Sequence, residues 1–404
     1  VSDAISELSR VIRRLEAKSR INVASRQMAS LEDLLGGGVE DTDHGRVLVV
    51  RRRFEAGHLH GRQLLDAARG MADAPLALLT RTGAPPAGSR LLYLDTETTG
   101  LAGGTGTYAF LVGVGFFDGE TFEVRQYFMR DLDEEPALLA ALDPLLRDMD
   151  GLVTYNGTGF DLPLLETRFV LARRRWPEAA FHLDLLPAAR RLWSGRLPDC
   201  RLGTVEQHAL GFAREGDLPG ALIPSVYFEY LRRKTPGELP RVFEHNRHDI
   251  LSLAALAGWV ADAVARAPGP GLGAEELAGL GRLWEAMDPD RGEACYRMAL
   301  DGGLPSPARE RVLGRLAWRE KRRSRWDASR VLWEAAARGA RIFDARPWEE
   351  MAKIHEHHLR DLAAAHAVVS EALEHARVHR APGGVVDALH HRLSRLSRRL
   401  ERAR

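Results

Sequence analysis

The stretch LLYLDTETTGLAGGTGTYAFLVGVGFFDG, residues 91–119, decides how the rest of the chain is read. Four apolar or aromatic residues run into Asp95 and Glu97, which stand one residue apart. Side chains at i and i+2 of a strand point to the same side. The chain therefore sets two like charges together at the end of a buried strand. Their repulsion is relieved only by protons or by cations. Hard divalent ions such as Mg²⁺ or Mn²⁺ take oxygen ligands, so the pair reads as a metal-holding element. Alone it is a weak signal, because D-x-E recurs by chance.

Outward from this stretch, strands and helices alternate. Residues 108–117 form a second apolar run, ended by Asp118-Gly119, a hairpin signal. Phe122, Val124, Gln126 and Phe128 then alternate with other residues, which predicts a third strand. A helix is expected over 136–147, a short buried strand over 151–155, a helix over 162–174 and a strand over 181–185, with helices after it. Three hairpin-linked strands followed by βα units predict an α/β domain over 91–264, a mixed five-stranded sheet with flanking helices.

The chain has 404 residues, 45% hydrophobic and 28% charged, an ordinary globular composition long enough for two or three domains. No uninterrupted apolar run approaches the ~20 residues of a membrane span. The first 20 residues are charged throughout and carry no secretory h-region. Two cysteines, Cys200 and Cys295, are too few for a disulfide framework or a cysteine zinc site. The expected location is the cytoplasm, with no membrane partner. Net charge is +1 but uneven: +3 over residues 1–90, −11 over 91–304 and +9 over 305–404. The acidic middle suits cations. The basic tail reads either as a polyanion surface or as solvated helix faces.

Residues 1–90 read as an appendage with a helix over 6–18 and a strand over 45–54. GHLHG at 57–61 places two histidines two apart, either a partial metal site or loop residues. APGPGLGAEE, within 265–276, reads as a linker. Beyond it, over 277–404, the pattern is helical. The small-residue pairs Gly292/Ala299, Ala328/Ala335 and Ala365/Ala372 are offset by 36 and 37 positions, as are Tyr296, Leu332 and Val369. A period near ~34 is the tetratricopeptide range, so an all-α tetratricopeptide-like repeat domain ending in a basic helix is expected. REKRRSRW at 319–326 reads either as a phosphate-tracking patch or as a solvated turn.

Two further stretches give the D-x-E pair company. VTYNGTGFDLPLL, 153–165, leaves a strand, turns at Asn156 and sets Asp161 at a helix start, where it reads as an N-cap or as a third acid. FEHNRHDILSLAAL, 243–256, is helical and carries His245 and Asp249 four apart on one face, with His248 on another. In DLLP, Asp184 reads as a helix cap or as a further carboxylate behind the site. Trp193, Tyr227 and Tyr230 read as core or as base-stacking residues.

The order D-x-E, N-x₃-F-D, H-x₃-D resembles the DnaQ-like 3′→5′ exonucleases of the ribonuclease H fold (DEDD type). The flanking LEDLLGGG and the helical tail look more narrowly like YprB-like bacterial proteins. The resemblance implies metal ligands Asp95, Glu97, Asp161 and Asp249, two divalent cations (Mg²⁺ or Mn²⁺), and two-metal hydrolysis of terminal phosphodiesters. Family branches carry His five residues, or Tyr four residues, before the last acid. Here His245 stands four before Asp249, combining the spacing of one branch with the chemistry of the other. His245 is the expected general base, with His248 the other candidate. Thr98, Leu101, Asn156 and His248 are the expected substrate contacts, Leu101 as a wedge against the terminal base. The expected partner is single-stranded DNA or RNA, DNA slightly preferred, with a protein partner on the helical repeats. The alternatives are a non-catalytic tetratricopeptide scaffold and a structure-specific endonuclease on the same fold.

Overall fold

The computed structural model describes residues 30–73, 76–80, 83, 88–100 and 105–403. The helix expected over 6–18 and Leu101 lie outside these residues. After a short helix α1 (Leu31–Leu35), β1 (Gly37–Thr42) and β2 (Gly45–Phe54) form an antiparallel hairpin. A two-stranded ribbon, β3 (Leu59–His60) and β4 (Gln63–Leu64), follows. Next come β5 (Leu91–Thr98), β6 (Ala109–Asp118), β7 (Thr121–Phe128), α2 (Glu135–Asp148), β8 (Gly151–Thr154), α3 (Asp161–Leu171), β9 (Phe181–Asp184) and α4 (Leu185–Trp193). Then α5 (Ile223–Arg233) precedes the long α6 (Leu239–Arg266).

The main sheet is mixed and has seven strands in the order β1-β2-β7-β6-β5-β8-β9. β5, β6 and β7 are antiparallel neighbours, and β5 runs parallel to β8, as the α2 crossover requires. The expected sheet had five strands, and the structure corrects this to seven. The hairpin β1–β2, read as part of an appendage, extends the sheet along β7. The reason is visible in β2: Val47, Leu48, Val49 and Val50 are all buried, so both faces of the strand are covered. Arg51 and Arg53, next in sequence, hid this. Arg53 pairs across to the buried Glu123 at 2.9 Å.

By packing, the chain divides into two compact units: residues 1–58, 90–180 and 214–254, and residues 59–89, 181–213 and 255–404. The first unit's core joins Leu94, Phe110, Val112 and Phe128 of the sheet to Leu138 and Leu142 of α2 and to Leu165 and Phe169 of α3. Tyr227 stacks on Phe110 with ring centroids 4.0 Å apart, and Tyr230 lies against Phe128. Both tyrosines are core residues. α6 is long and apolar enough by composition to cross a membrane, with a mean hydropathy of 1.3 over its apolar window, but 78% of that window is buried inside the fold.

The second unit ends in seven helices: α7 (Ala274–Trp284), α8 (Pro289–Asp301), α9 (Ala308–Arg322), α10 (Trp326–Gly339), α11 (Ala345–Lys353), α12 (Leu362–Val378) and α13 (Gly383–Ala403). Neighbours pack pairwise, α7 on α8, α9 on α10 and α11 on α12. A side chain on Gly292 would meet the Glu285 backbone at 2.9 Å, so glycine sets the α7–α8 approach. Ala365 and Ala372 are buried, whereas Ala328 is exposed, so the small-residue spacing is only partly used for packing. The basic run 319–326 is not a free cationic patch. Arg319 and Arg323 pair with Glu293 of α8, Lys321 with Glu350 of α11, and Arg325 with Glu320. Trp193 is fully buried and donates from Nε1 to Glu276 at 3.0 Å. His60 is also buried, against Phe212, rather than in a solvated loop.

Candidate active site

The site is built where β5 meets α6. Asp95 on β5 is in register with Gly113 on β6, and Gly113 with Gln126 on β7. α6 crosses this row, and Asn246 descends onto Gly113. A Cβ at residue 113 would lie 2.1 Å from Asn246 Oδ1. Asn246 is fully buried and accepts from Gln126 Nε2 at 2.9 Å. Its own Nδ2 donates to Asp95 Oδ2 at 2.9 Å. Gln126 also donates to the Phe243 carbonyl at 2.8 Å. This relay fixes the turn of α6, and with it the side that His245 and Asp249 present.

One ligand atom each from Glu97, His245 and Asp249 lies within 4.8 Å of the others. A register shift between Glu97 and Thr98 ends the regular strand at this point, as bulges beside functional sites often do. Asp161 is the first residue of α3, and the N-cap position belongs to Phe160. Asp161 is buried and accepts from Thr96 Oγ1 at 2.6 Å. Asp95 and Asp161 stand outside the compact Glu97–His245–Asp249 group, but their charges act on it. Burial, then the charges of Asp249, Glu97 and Asp161, push the Asp95 carboxyl well above its ordinary range, against the Asn246 hydrogen bond. Burial, then Asp249 and Asp161, does the same to Glu97, with Arg214 opposing.

Two residues that the sequence reading missed complete the arrangement. Arg214 donates from one nitrogen to Asp249 Oδ1 at 2.5 Å and from another to Asp217 at 3.3 Å. Asp217 receives His245 Nδ1 at 2.9 and 3.0 Å. Burial raises the Asp217 carboxyl, but the His245 hydrogen bond and the His245 and Arg214 charges outweigh it and hold the group below its usual value. A carboxylate on Nδ1 selects the tautomer with the proton there and leaves Nε2 as an acceptor. That Nε2 faces Asp249 at 3.4 Å. His248 lines a small pocket with Asp217, Arg241 and Glu244, and burial followed by Arg247 and Arg214 lowers its pKa. Arg214 and Asp217 sit in REGDLPG, which reads as turn chemistry. Asn246 stood in plain view beside His245 but carried no periodic signal.

The remaining expected contacts have local roles. Thr98 Oγ1 donates to the Gly100 carbonyl at 2.9 Å, bracing the turn after β5. The far end of that loop is held by buried Arg168, which donates to the Thr105 carbonyl at 2.8 Å while pairing with Glu135. Asn156 adopts φ 65°, and its carbonyl accepts from Gly159 N, closing the turn into α3. Asp184 caps α4, accepting from Leu186 N at 3.1 Å.

The donor set fits divalent cations. Four carboxylates converge, two of them driven toward protonation, and Glu97 Oε1 is buried with no hydrogen-bond partner. A pH prediction follows. Asp95 and Glu97 have folded pKa values above their unfolded ones, so the folded state holds protons more tightly. Their contribution to stability is full below the unfolded values near ~4 and is lost as pH rises through the folded values. Mn²⁺ replaces those protons, so it will raise the melting temperature more at pH 8 than at pH 5.5. Calorimetry with Mn²⁺ and with EDTA at both pH values checks this, and equal gains would refute it.

Comparison with known proteins bears on this geometry. Residues 92–261 match RNase_H_2, described as RNase_H superfamily. Residues 92–261 are thus similar to the RNase_H superfamily. That stretch includes β5 from residue 92, α6 as far as residue 261, and every acid of the site. Over 170 residues the chain is 41% identical to a protein of Bacillus subtilis (strain 168) whose name is "Uncharacterized protein YprB", covering 42% of this chain and 41% of that protein. The match thus spans about two fifths of that relative's length. A family B DNA polymerase from the hyperthermophilic archaeon Pyrobaculum calidifontis aligns at 19% identity and a TM-score of 0.36, over 55% of this chain and 30% of the polymerase. The RNase_H-like domain carries a mixed sheet with flanking helices, as expected, and helices follow it in the chain.

Proposed function

We propose that residues 91–264 act as a metal-dependent 3′→5′ exonuclease of the DEDD type on single-stranded nucleic acid, with DNA slightly preferred over RNA. The observation that carries this reading is the buried carboxylate set around Glu97, whose Oε1 lacks a partner. Asp95, Glu97, Asp161 and Asp249 would hold two divalent cations, Mg²⁺ or Mn²⁺, which supply charge neutralisation of the scissile phosphate and acidification of the attacking water. His245 Nε2 takes the proton from that water as it attacks the terminal phosphorus. Asp217 keeps the ring oriented and stabilises its protonated form. The bond from phosphorus to the 3′ oxygen of the penultimate nucleotide breaks, and a nucleoside monophosphate leaves. Thr98, Leu101, Asn156 and His248 would contact the terminal nucleotides. The helices of 277–404, read as degenerate tetratricopeptide-like hairpins, would carry a partner surface.

The test uses the full chain and 5′-labelled single strands, DNA and RNA in parallel, with Mn²⁺ or Mg²⁺ and with EDTA. A metal-dependent ladder shortening from the 3′ end, lost in Asp95→Ala, supports the proposal. Cleavage of a circular single strand would replace it with an endonuclease, and binding without cleavage would replace it with a scaffold. Within the proposal, His245→Ala lowers kcat about 10²- to 10⁴-fold. Asp217→Asn lowers it less, because the ring loses the carboxylate that orients it. A kcat equal to that of the wild type would remove Asp217 from the mechanism.

A further inference from the structure

The helical unit holds a groove of about 770 Å³ between α9, α10 and the segment leading into α11. Its walls are largely apolar, with Trp318 and Trp333 set edge to face at 5.8 Å. On its rim Ile342 is 82% exposed.

The charges around the groove are as distinctive. Arginines in these helices mostly pair: Arg315 with Glu285, Arg319 with Glu293, Arg330 with Glu334 and Arg338 with Glu371. Arg311, Arg341 and Arg346, all lining the groove, form no ion pair with any described residue.

We propose that this groove binds an extended acidic peptide segment that carries a bulky apolar side chain. The apolar walls and Ile342 take that side chain. The three unpaired guanidinium groups suit Asp and Glu side chains, which arginine receives bidentately. A nucleic-acid strand fits less well. Its bases would need open aromatic faces. Trp333 is buried, and Lys321 Nζ already covers a face of Trp318 at 4.6 Å. The proposal does not depend on the nuclease reading.

The experiment is fluorescence anisotropy on the full chain with five labelled probes. They are peptides in which Asp and Glu flank a single Trp or a single Leu, polyglutamate of equal charge, the Trp peptide with Lys in place of every acid, and oligodeoxythymidylate. The two acidic apolar peptides are expected to bind at about 10 µM. Arg341→Glu and Ile342→Asp, both at exposed positions and so without cost to the fold, should each weaken binding about tenfold. Several results would overturn the proposal. Polyglutamate or the Lys peptide could bind as well as the acidic apolar peptides. Oligodeoxythymidylate binding could be lost in the same variants, which would make the groove a nucleic-acid site. Peptide binding could be unchanged in Arg341→Glu and Ile342→Asp, or absent up to about 1 mM.

Discussion

Glu97→Gln will melt at a higher temperature than the wild type in EDTA, and under the proposed nuclease function it will lose metal-dependent cleavage by about a thousandfold or more. The two effects have one cause. Glu97 is buried beside Asp249 and Asp161, and its Oε1 has no donor. Without a cation, each ionised carboxylate in the set raises the free energy of the folded state. The amide is nearly isosteric, removes one negative charge and brings an N–H₂ that the neighbouring carboxylates accept. A gain of about 1–2 kcal/mol at neutral pH is expected, because burial and like charge both penalise the anion. With Mn²⁺ the order reverses. The wild type gains through ion binding by about 2.7 kcal/mol at a hundredfold excess over Kd, and the variant gains less. Calorimetry with EDTA and with Mn²⁺, beside the 3′-end assay, reads both effects. A cation-free Glu97→Gln that melts below the wild type would show that Glu97 stabilises the fold and is not held there for a cation.

Gly113→Ala will be among the most damaging single-methyl changes in the chain. On an ordinary strand alanine outperforms glycine. Here the added Cβ would stand 2.1 Å from Asn246 Oδ1 and 2.7 Å from the rest of the amide. Asn246 cannot step aside, because it accepts from Gln126 on β7 and donates to Asp95 on β5. The helix must lift or the relay must break, leaving buried amide groups unpaired. Overpacking and a lost buried hydrogen bond together predict a loss of about 2–4 kcal/mol, read as a lower urea midpoint with an unchanged m-value. Cleavage should fall further than stability, since lifting α6 carries His245 and Asp249 away from Glu97. A variant as stable as the wild type would mean that α6 is not seated on Gly113.

Most of the sheet was legible in residues 91–185 because its strands are short, strongly apolar and punctuated by turn residues. The strands expected over 108–117 and 181–185 appear as β6 and β9, within a residue at each end. The two added strands were not legible as sheet members. Val47 to Val50 advertise a buried strand, but pairing with a partner nearly eighty positions later is tertiary information that no local pattern carries. The four acids and His245 could be picked out because D-x-E, F-D and H-x₃-D are local patterns of chemically conspicuous residues. Arg214, Asp217 and Gln126 could not, since each acquires its meaning from what lies across the fold. Gly113 looked like one small residue in an apolar run, and only the descent of Asn246 onto it explains its size.

The Asn246–Asp95 hydrogen bond joins residues 151 positions apart in the chain. During synthesis β5 emerges long before α6, so its carboxylates wait without the histidine, the amide and the final acid. The carboxylate cluster cannot assemble until the region around residue 250 has left the tunnel and docked. A nascent chain released early would carry the first two acids without their partners. The distance along the chain therefore makes this cluster a late feature of synthesis.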